Sequence, residues 1–266
     1  MRKSLFLVLL LSGCAIHPIT GRNQILALPA AQAAYAEARF TLSTEVWRVA
    51  APFSCGDDCS DADQLAHLSR RVALLGAELE TLAHQVSPEL AGRIGAFKFE
   101  VSDAPGAGTA SSAGGRISIG SGLAALEPTD TVLAFLIARE MAHVIARHAE
   151  ENSGASMLFS VLGFLLPGFH VLARFAATTA GSGVLTNSWA AEQQREGDEI
   201  AVALLERAGL TSPEIALALA HGLDHARLAD NEWGARYLES AQHVSRIAAA
   251  PPPPTGGVHF ANGTPK

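Results

Sequence analysis

Apolar residues recur at helical spacing from Pro29 to Val49 and again from Asp61 to Val86, which predicts two amphipathic helices. Phe97-Lys98-Phe99-Glu100-Val101 alternates apolar and polar residues, and Arg116-Ile117-Ser118-Ile119 does so briefly, which predicts two strands. The stretch between them, Pro105 to Gly115, is rich in Gly, Ala and Ser and is predicted to be a loop. Pro128-Thr129-Asp130 is a start signal for a helix predicted to run unbroken from Thr129 to Glu151. Further helices are predicted over Ser188 to Ala208, closed by Gly209, and over Ser212 to Gly222 and Asn231 to Ala249. The pattern predicts an α+β fold, mainly α with a small antiparallel β-sheet, in one domain spanning residues 29–249.

Two parts of the chain break this pattern. Residues 153–186 are largely apolar but interrupted by Pro167-Gly168, His170 and Arg174, and the run before the break is too short for the ~20 residues of a membrane-spanning helix. They read as a helical hairpin packed on the domain, a lid over a site, or a segment dipping into a lipid surface. Residues 250–266 begin with four consecutive prolines, Pro251 to Pro254, and are predicted to be disordered.

The start of the chain has a pattern of its own. Arg2 and Lys3 precede the apolar run Leu5 to Leu11, and the run ends in Leu11-Ser12-Gly13-Cys14. Residues 1–13 therefore read as a secretion signal and Cys14 as the acylated cysteine of a bacterial lipoprotein, leading a lipidated arm over residues 14–28. Ala15 follows with no aspartate nearby, the pattern of sorting to the outer membrane, facing the periplasm. Cys55 and Cys59 then remain as an even pair in an oxidising compartment. They read as a small structural disulfide, with a redox-active pair the alternative. Losing Arg2 and Lys3 takes the net charge from −7 to −9, and no basic run stands against it, so nucleic acid is excluded as a partner.

The candidate chemistry lies in Ala138-Arg139-Glu140-Met141-Ala142-His143-Val144-Ile145-Ala146-Arg147-His148. Positions four apart lie about 40° from each other on a helix, so residues 139 and 143 share a face. In a His-Glu-x-x-His zinc site both positions are imidazoles, and the glutamate between them is the general base on metal-bound water. Here Glu140 and His143 are present and Arg139 occupies the first histidine position.

Taken together, several segments resemble peptidase family M48, the metallopeptidases that include the CAAX prenyl protease and the periplasmic lipoprotein proteases of outer-membrane quality control. They are Pro18-Ile19-Thr20-Gly21-Arg22-Asn23-Gln24, Phe97 to Asp103, Gly114 to Ser118, Ala138 to Glu150 and Arg195-Glu196-Gly197-Asp198, in that order. The resemblance implies a zincin-like domain with an active-site helix. It places the third zinc ligand four residues before Asp198, at Gln194, and Asp198 itself beside the metal ligands. It also implies that Gly115, Arg116, Ile117 and Ser118 form the edge on which an extended substrate lies. The chain departs from the family at Arg139 and Gln194, and no late His-Pro is evident around His243, although Arg246 matches a family arginine.

A neutral amide is a poor zinc ligand, and a guanidinium stays charged. The expected function is therefore a zinc-less pseudo-peptidase lipoprotein that binds extended peptides or unfolded envelope proteins, with no cofactor. Arg139 is expected to fill the metal's place in a salt bridge to Asp198 or Glu196. The alternatives are an active zinc metalloendopeptidase with non-standard ligands and a purely structural lipoprotein. Residues considered for a rebuilt site are His148, His170, Glu192 and Glu196. On an unbroken helix His148 lies about 140° from His143 and faces elsewhere, and Glu196 faces away from Gln194.

Overall fold

The computed structural model describes residues 13–16, 20–26, 29–50, 62–102, 108–153, 191–223 and 232–250. The signal, the Cys55–Cys59 pair, the apolar segment beyond residue 153 and the proline-rich tail lie outside the described residues, as does the Cys14 side chain.

Strands β1 (Gly13–Ile16) and β2 (Asn23–Leu26) pair antiparallel and lead into helix α1 (Pro29–Ala50). Helix α2 (Ala62–Val86) follows, burying Leu68, Val72, Gly76, Leu79 and Ala83. Their spacing of three and four makes one stripe, as an amphipathic helix facing a core requires. After a single helical turn, Leu90–Arg93, come β3 (Lys98–Ser102), β4 (Thr109–Ser111) and β5 (Arg116–Gly120). A 3-10 turn (Ser121–Leu126) leads to α3 (Asp130–Ile145). The chain is helical again over 148–153 and over 191–207, here called α4. Helices α5 (Ser212–His221) and α6 (Glu232–Ala249) complete the described domain.

The fold is mainly α with a small sheet. The sheet itself is mixed, in the order β3-β5-β4, with β3 parallel and β4 antiparallel to β5. The antiparallel sheet expected from sequence is thus corrected for β3, whose connection to β5 passes through β4 at the far edge. β5 carries the apolar centre of the sheet, with Ile117 and Ile119 fully buried.

Helix α3 is the axis of the molecule. The Thr129 hydroxyl accepts from the Val132 amide at 3.3 Å, and Asp130 in the first turn pairs with Arg71 of α2. Both features suit a helix N-terminus. Every residue from Val132 to Ala142 is buried. Helices α5 and α6 close the other side, where the Tyr237 hydroxyl donates to the Leu219 carbonyl at 2.8 Å and its ring stacks on Trp233. Gly209, at φ +97°, ends α4 as the sequence predicts. Among the described residues no helix is long and apolar enough to cross a membrane.

Close packing of α2 on the sheet depends on Gly76, where an added Cβ would lie 2.6 Å from the Phe99 ring. Alanine favours an exposed helix over glycine by about 1 kcal/mol, whereas overpacking costs about 1–3 kcal/mol. Gly76→Ala is therefore expected to lower the urea midpoint, and a raised midpoint would show that the helix does not rest on Phe99.

Candidate functional site

Because α3 is buried on all sides, its two adjacent charges have to be met inside the protein. Glu140 accepts from the Thr109 hydroxyl at 2.7 Å and from the Ser111 hydroxyl at 2.9 Å. Alternate residues of a strand share a face, so β4 presents both hydroxyls to α3 and leaves Ala110 exposed on the other side. Arg139, with 4 % of its surface exposed, donates to Ser240 Oγ of α6 at 3.0 Å and to Thr109 Oγ1 at 3.5 Å. Its Nε has no hydrogen-bond partner among the described residues. Among the described residues Glu140 is the one carboxylate within ion-pair range there, at 3.9 Å.

The salt bridge from Arg139 to Asp198 or Glu196 is not formed. Helix α4 meets α3 through Gly197, where an added Cβ would lie 3.3 Å from His143 Nε2 and 3.7 Å from Arg139 Cγ. Neighbouring residues on a helix diverge by about 100°, so Glu196 and Asp198 turn to opposite sides of that contact. Asp198 pairs with His243 Nδ1 of α6 at 3.2 Å. Glu196 accepts from Thr20, from Arg22 Nε at 2.6 Å and from His148 Nε2 at 2.9 Å. Gln194 is half-buried on α4, Glu192 is exposed, and Arg246 is exposed on α6.

The single helix expected from Thr129 to Glu151 is broken. It ends at Ile145, and Arg147 adopts a left-handed conformation at φ 59° before the chain turns helical again at residue 148. This reversal swings His148 back, so the two Nδ1 atoms of His143 and His148 lie 2.7 Å apart. His148 therefore faces His143, contrary to the expectation drawn from an unbroken helix. Burial holds the His143 imidazole well below its ordinary pKa, reinforced by His148 and Arg139. The ring is thus neutral at pH 7, and one of the two facing Nδ1 atoms carries the proton they share.

The arm after Cys14 holds the turn in place. Gln24 donates to the Ala146 carbonyl at the end of α3. Arg22 grips Glu151 with two hydrogen bonds, at 2.9 and 2.6 Å, while its Nε reaches Glu196. Burial alone would lower the Arg22 pKa, but Glu151 and Glu196 raise it above its ordinary value. Burial would likewise raise the Glu196 carboxyl, yet His148, Thr20 and Arg22 hold it down to about 2. Sequence reading marked the segment Pro18 to Gln24 but not this role for Thr20, Arg22 and Gln24. It also passed over Thr109, Ser111 and Ser240, whose hydroxyls are unremarkable among many serines and threonines.

The expected peptide-binding edge is also corrected. Gly115 to Ser118 lead into and form the central strand β5, paired on both sides. The edge of this sheet nearest Glu140 is β4. Ser112 N–H donates to the Arg116 carbonyl and Gly120 N–H to the Gly108 carbonyl. Antiparallel pairing alternates, so the N–H and C=O groups of Thr109 and Ser111 turn outward. Among the described residues no strand pairs with that side.

The profile of Peptidase family M48 matches residues 74–250, well over half of the 266 residues, and the chain belongs to that family. The match covers α2 through α6, including Glu140, His143, Gln194 and Asp198, so the site is built on a metallopeptidase scaffold of a zinc-dependent family. No curated protein matches the chain. Among the described residues no group of three His, Cys, Asp or Glu side chains is placed to hold a metal ion.

Two outcomes test the arm's part in the site. Arg22→Ala leaves the buried Glu151 and Glu196 without their cation and is expected to cost about 3–5 kcal/mol in chemical denaturation. A loss below ~1 kcal/mol would show that the arm does not hold the turn. Glu196 is held below its ordinary value of 4.5. Its contribution is therefore complete above that value and is lost as pH falls through about 2. Glu196→Gln is expected to flatten the acid limb of the stability curve, and an unchanged limb would count against this pairing.

Proposed function

We propose that this chain is a zinc-less pseudo-peptidase, an envelope lipoprotein that binds extended peptides or partner proteins and does not hydrolyse them. The observation that carries this reading is the buried guanidinium of Arg139 at the position of a metal-binding imidazole. A divalent cation beside it would meet like-charge repulsion in a site screened from water. The donor set around His143 does not fit zinc, since structural and catalytic sites draw three or four ligands from imidazole, thiolate and carboxylate. Gln194 offers only an amide, and His143 turns its Nδ1 to His148.

The outward backbone groups of Thr109 and Ser111 supply what β-addition of a peptide needs, because main-chain hydrogen bonds do not depend on a metal. Glu140, occupied by two hydroxyls of the same strand, then serves to position β4. The Leu11-Ser12-Gly13-Cys14 pattern supports a lipid anchor on Cys14 and a place at the periplasmic face of the outer membrane.

One observation favours the second reading, an active zinc metalloendopeptidase with non-standard ligands. The turn at Arg147 gathers His143, His148 and Glu196 within one network. Both His148 nitrogens are engaged in it, however, one with each neighbour.

The test is incubation of the purified full chain with unfolded casein, with and without a metal chelator. The proposal expects casein to be retained uncut in both conditions. Cleavage that the chelator abolishes would establish the second reading in its place.

A further inference from the structure

The arm that fastens the turn has two faces, and the domain occupies one of them. Alternate residues of a strand share a face, and residues paired across a ladder lie on the same face. The register pairs Gly13 with Leu26, Cys14 with Ile25, Ala15 with Gln24 and Ile16 with Asn23. Positions 13, 15, 24 and 26 therefore make one face of the β1–β2 hairpin, and positions 14, 16, 23 and 25 the other. Gln24 and Leu26 are buried, and Gln24 reaches the Ala146 carbonyl at the end of α3, so the first face rests on the domain. On the second stand Ile16, with 69 % of its surface exposed, and Asn23, exposed as well.

A single exposed isoleucine is ordinary on a protein surface. Two features give this one a direction. The outward face is also the face of position 14, the acylated cysteine of the lipoprotein pattern, and Ile16 lies two residues, about 7 Å, along the strand from it. In addition, β1 and β2 contain no charged residue, so no ion has to leave water if that face is covered. The one Lys, Arg, Asp or Glu among the described arm residues, Arg22, turns to the domain, where Glu151 and Glu196 hold it.

We infer that the outward face of the β1–β2 hairpin lies on the phospholipid surface. Ile16 sits at the boundary between headgroups and acyl chains, where the apolar side chains of surface-bound elements settle about 5–10 Å deep. This rests on the lipid-anchor reading above and adds to it the orientation of the domain on its membrane. The hairpin becomes the layer between bilayer and domain. The end of α3, with the turn that brings His148 to His143, then stands one sheet layer, ~10 Å, from the lipid. Helix α3 is 16 residues long, ~24 Å. Its start lies at the other end, where Gly222, just after α5, packs on Thr129 and Val132.

The test places a benzophenone-bearing amino acid in the full chain in place of Ile16, Asn23 or Leu217. The first two are on the outward face, and Leu217 is a control on α5, 63 % exposed. Each protein is purified with its acyl chains and reconstituted in vesicles of phosphatidylethanolamine and phosphatidylglycerol. Illumination joins the probe to whatever touches it, and mass spectrometry identifies the adduct and reads the acylation of Cys14. Phospholipid adducts are expected at 16 and 23, and their loss at 217. Adducts at 16 alone reflect its two-residue distance from the anchor and overturn the inference, as do adducts no stronger at 16 and 23 than at 217. Adducts to another part of this chain or to a second copy, in place of lipid, also overturn it. In all these cases acyl chains on Cys14 leave the lipid-anchor reading standing. Cys14 without acyl chains overturns that reading and this inference with it.

Discussion

A charge that is buried has to be met where it lies, and the described domain is arranged around that requirement. Helix α3 carries Arg139 and Glu140 through the middle of an apolar core, and neither can turn outward. Strand β4 answers the glutamate with two hydroxyls, and α6 answers part of the arginine with Ser240. At the C-terminal end of α3 the same rule operates at longer range. Arg22 comes from the far N-terminal arm to neutralise Glu151 and Glu196, which lie on separate helical segments. The arm next to the proposed lipid anchor is thereby fastened to the turn that shapes the His143 surroundings.

The parts of the fold that the sequence made legible are those in which local signals and packing agree. The apolar stripe of α2, the Thr129 start of α3 and the glycine closing α4 each have one local cause, and each was read nearly to the residue. The misses have local causes too. Strand β4 is three residues in a stretch rich in Gly, Ala and Ser, so no alternation of apolar residues marks it. The break at residues 146–147 falls on an arginine in a left-handed conformation, a geometry that glycine would have signalled and arginine does not. With the break hidden, helical spacing sent His148 to the wrong side. Pairing of β5 on both edges depends on contacts between strands and cannot be seen in Arg116 to Ile119 alone.

At the site, the family resemblance read from sequence puts Arg139 and Gln194 at ligand positions, a reading kept for the proposal, and structure reassigned the partners of Arg139. Arg139 is buried as expected, but its neighbours are Ser240, Thr109 and Glu140 in place of Asp198 or Glu196. The reason is the Gly197 contact, which brings the two helices close and turns the residues on either side of it away from each other. The result is a cation held beside a strand edge that no other strand among the described residues covers. Under the proposed reading, a scaffold that serves metal-assisted hydrolysis elsewhere in its family here offers backbone pairing and a fixed positive charge.

The central claim is that the permanent charge of Arg139 has displaced zinc chemistry from this scaffold. Elemental analysis of the full chain, purified from cells grown with added zinc, tests it most directly. The account predicts no stoichiometric zinc in the native protein, and uptake of about one zinc per chain in the Arg139→His, Gln194→Glu double variant. About one zinc per chain in the native protein would contradict it.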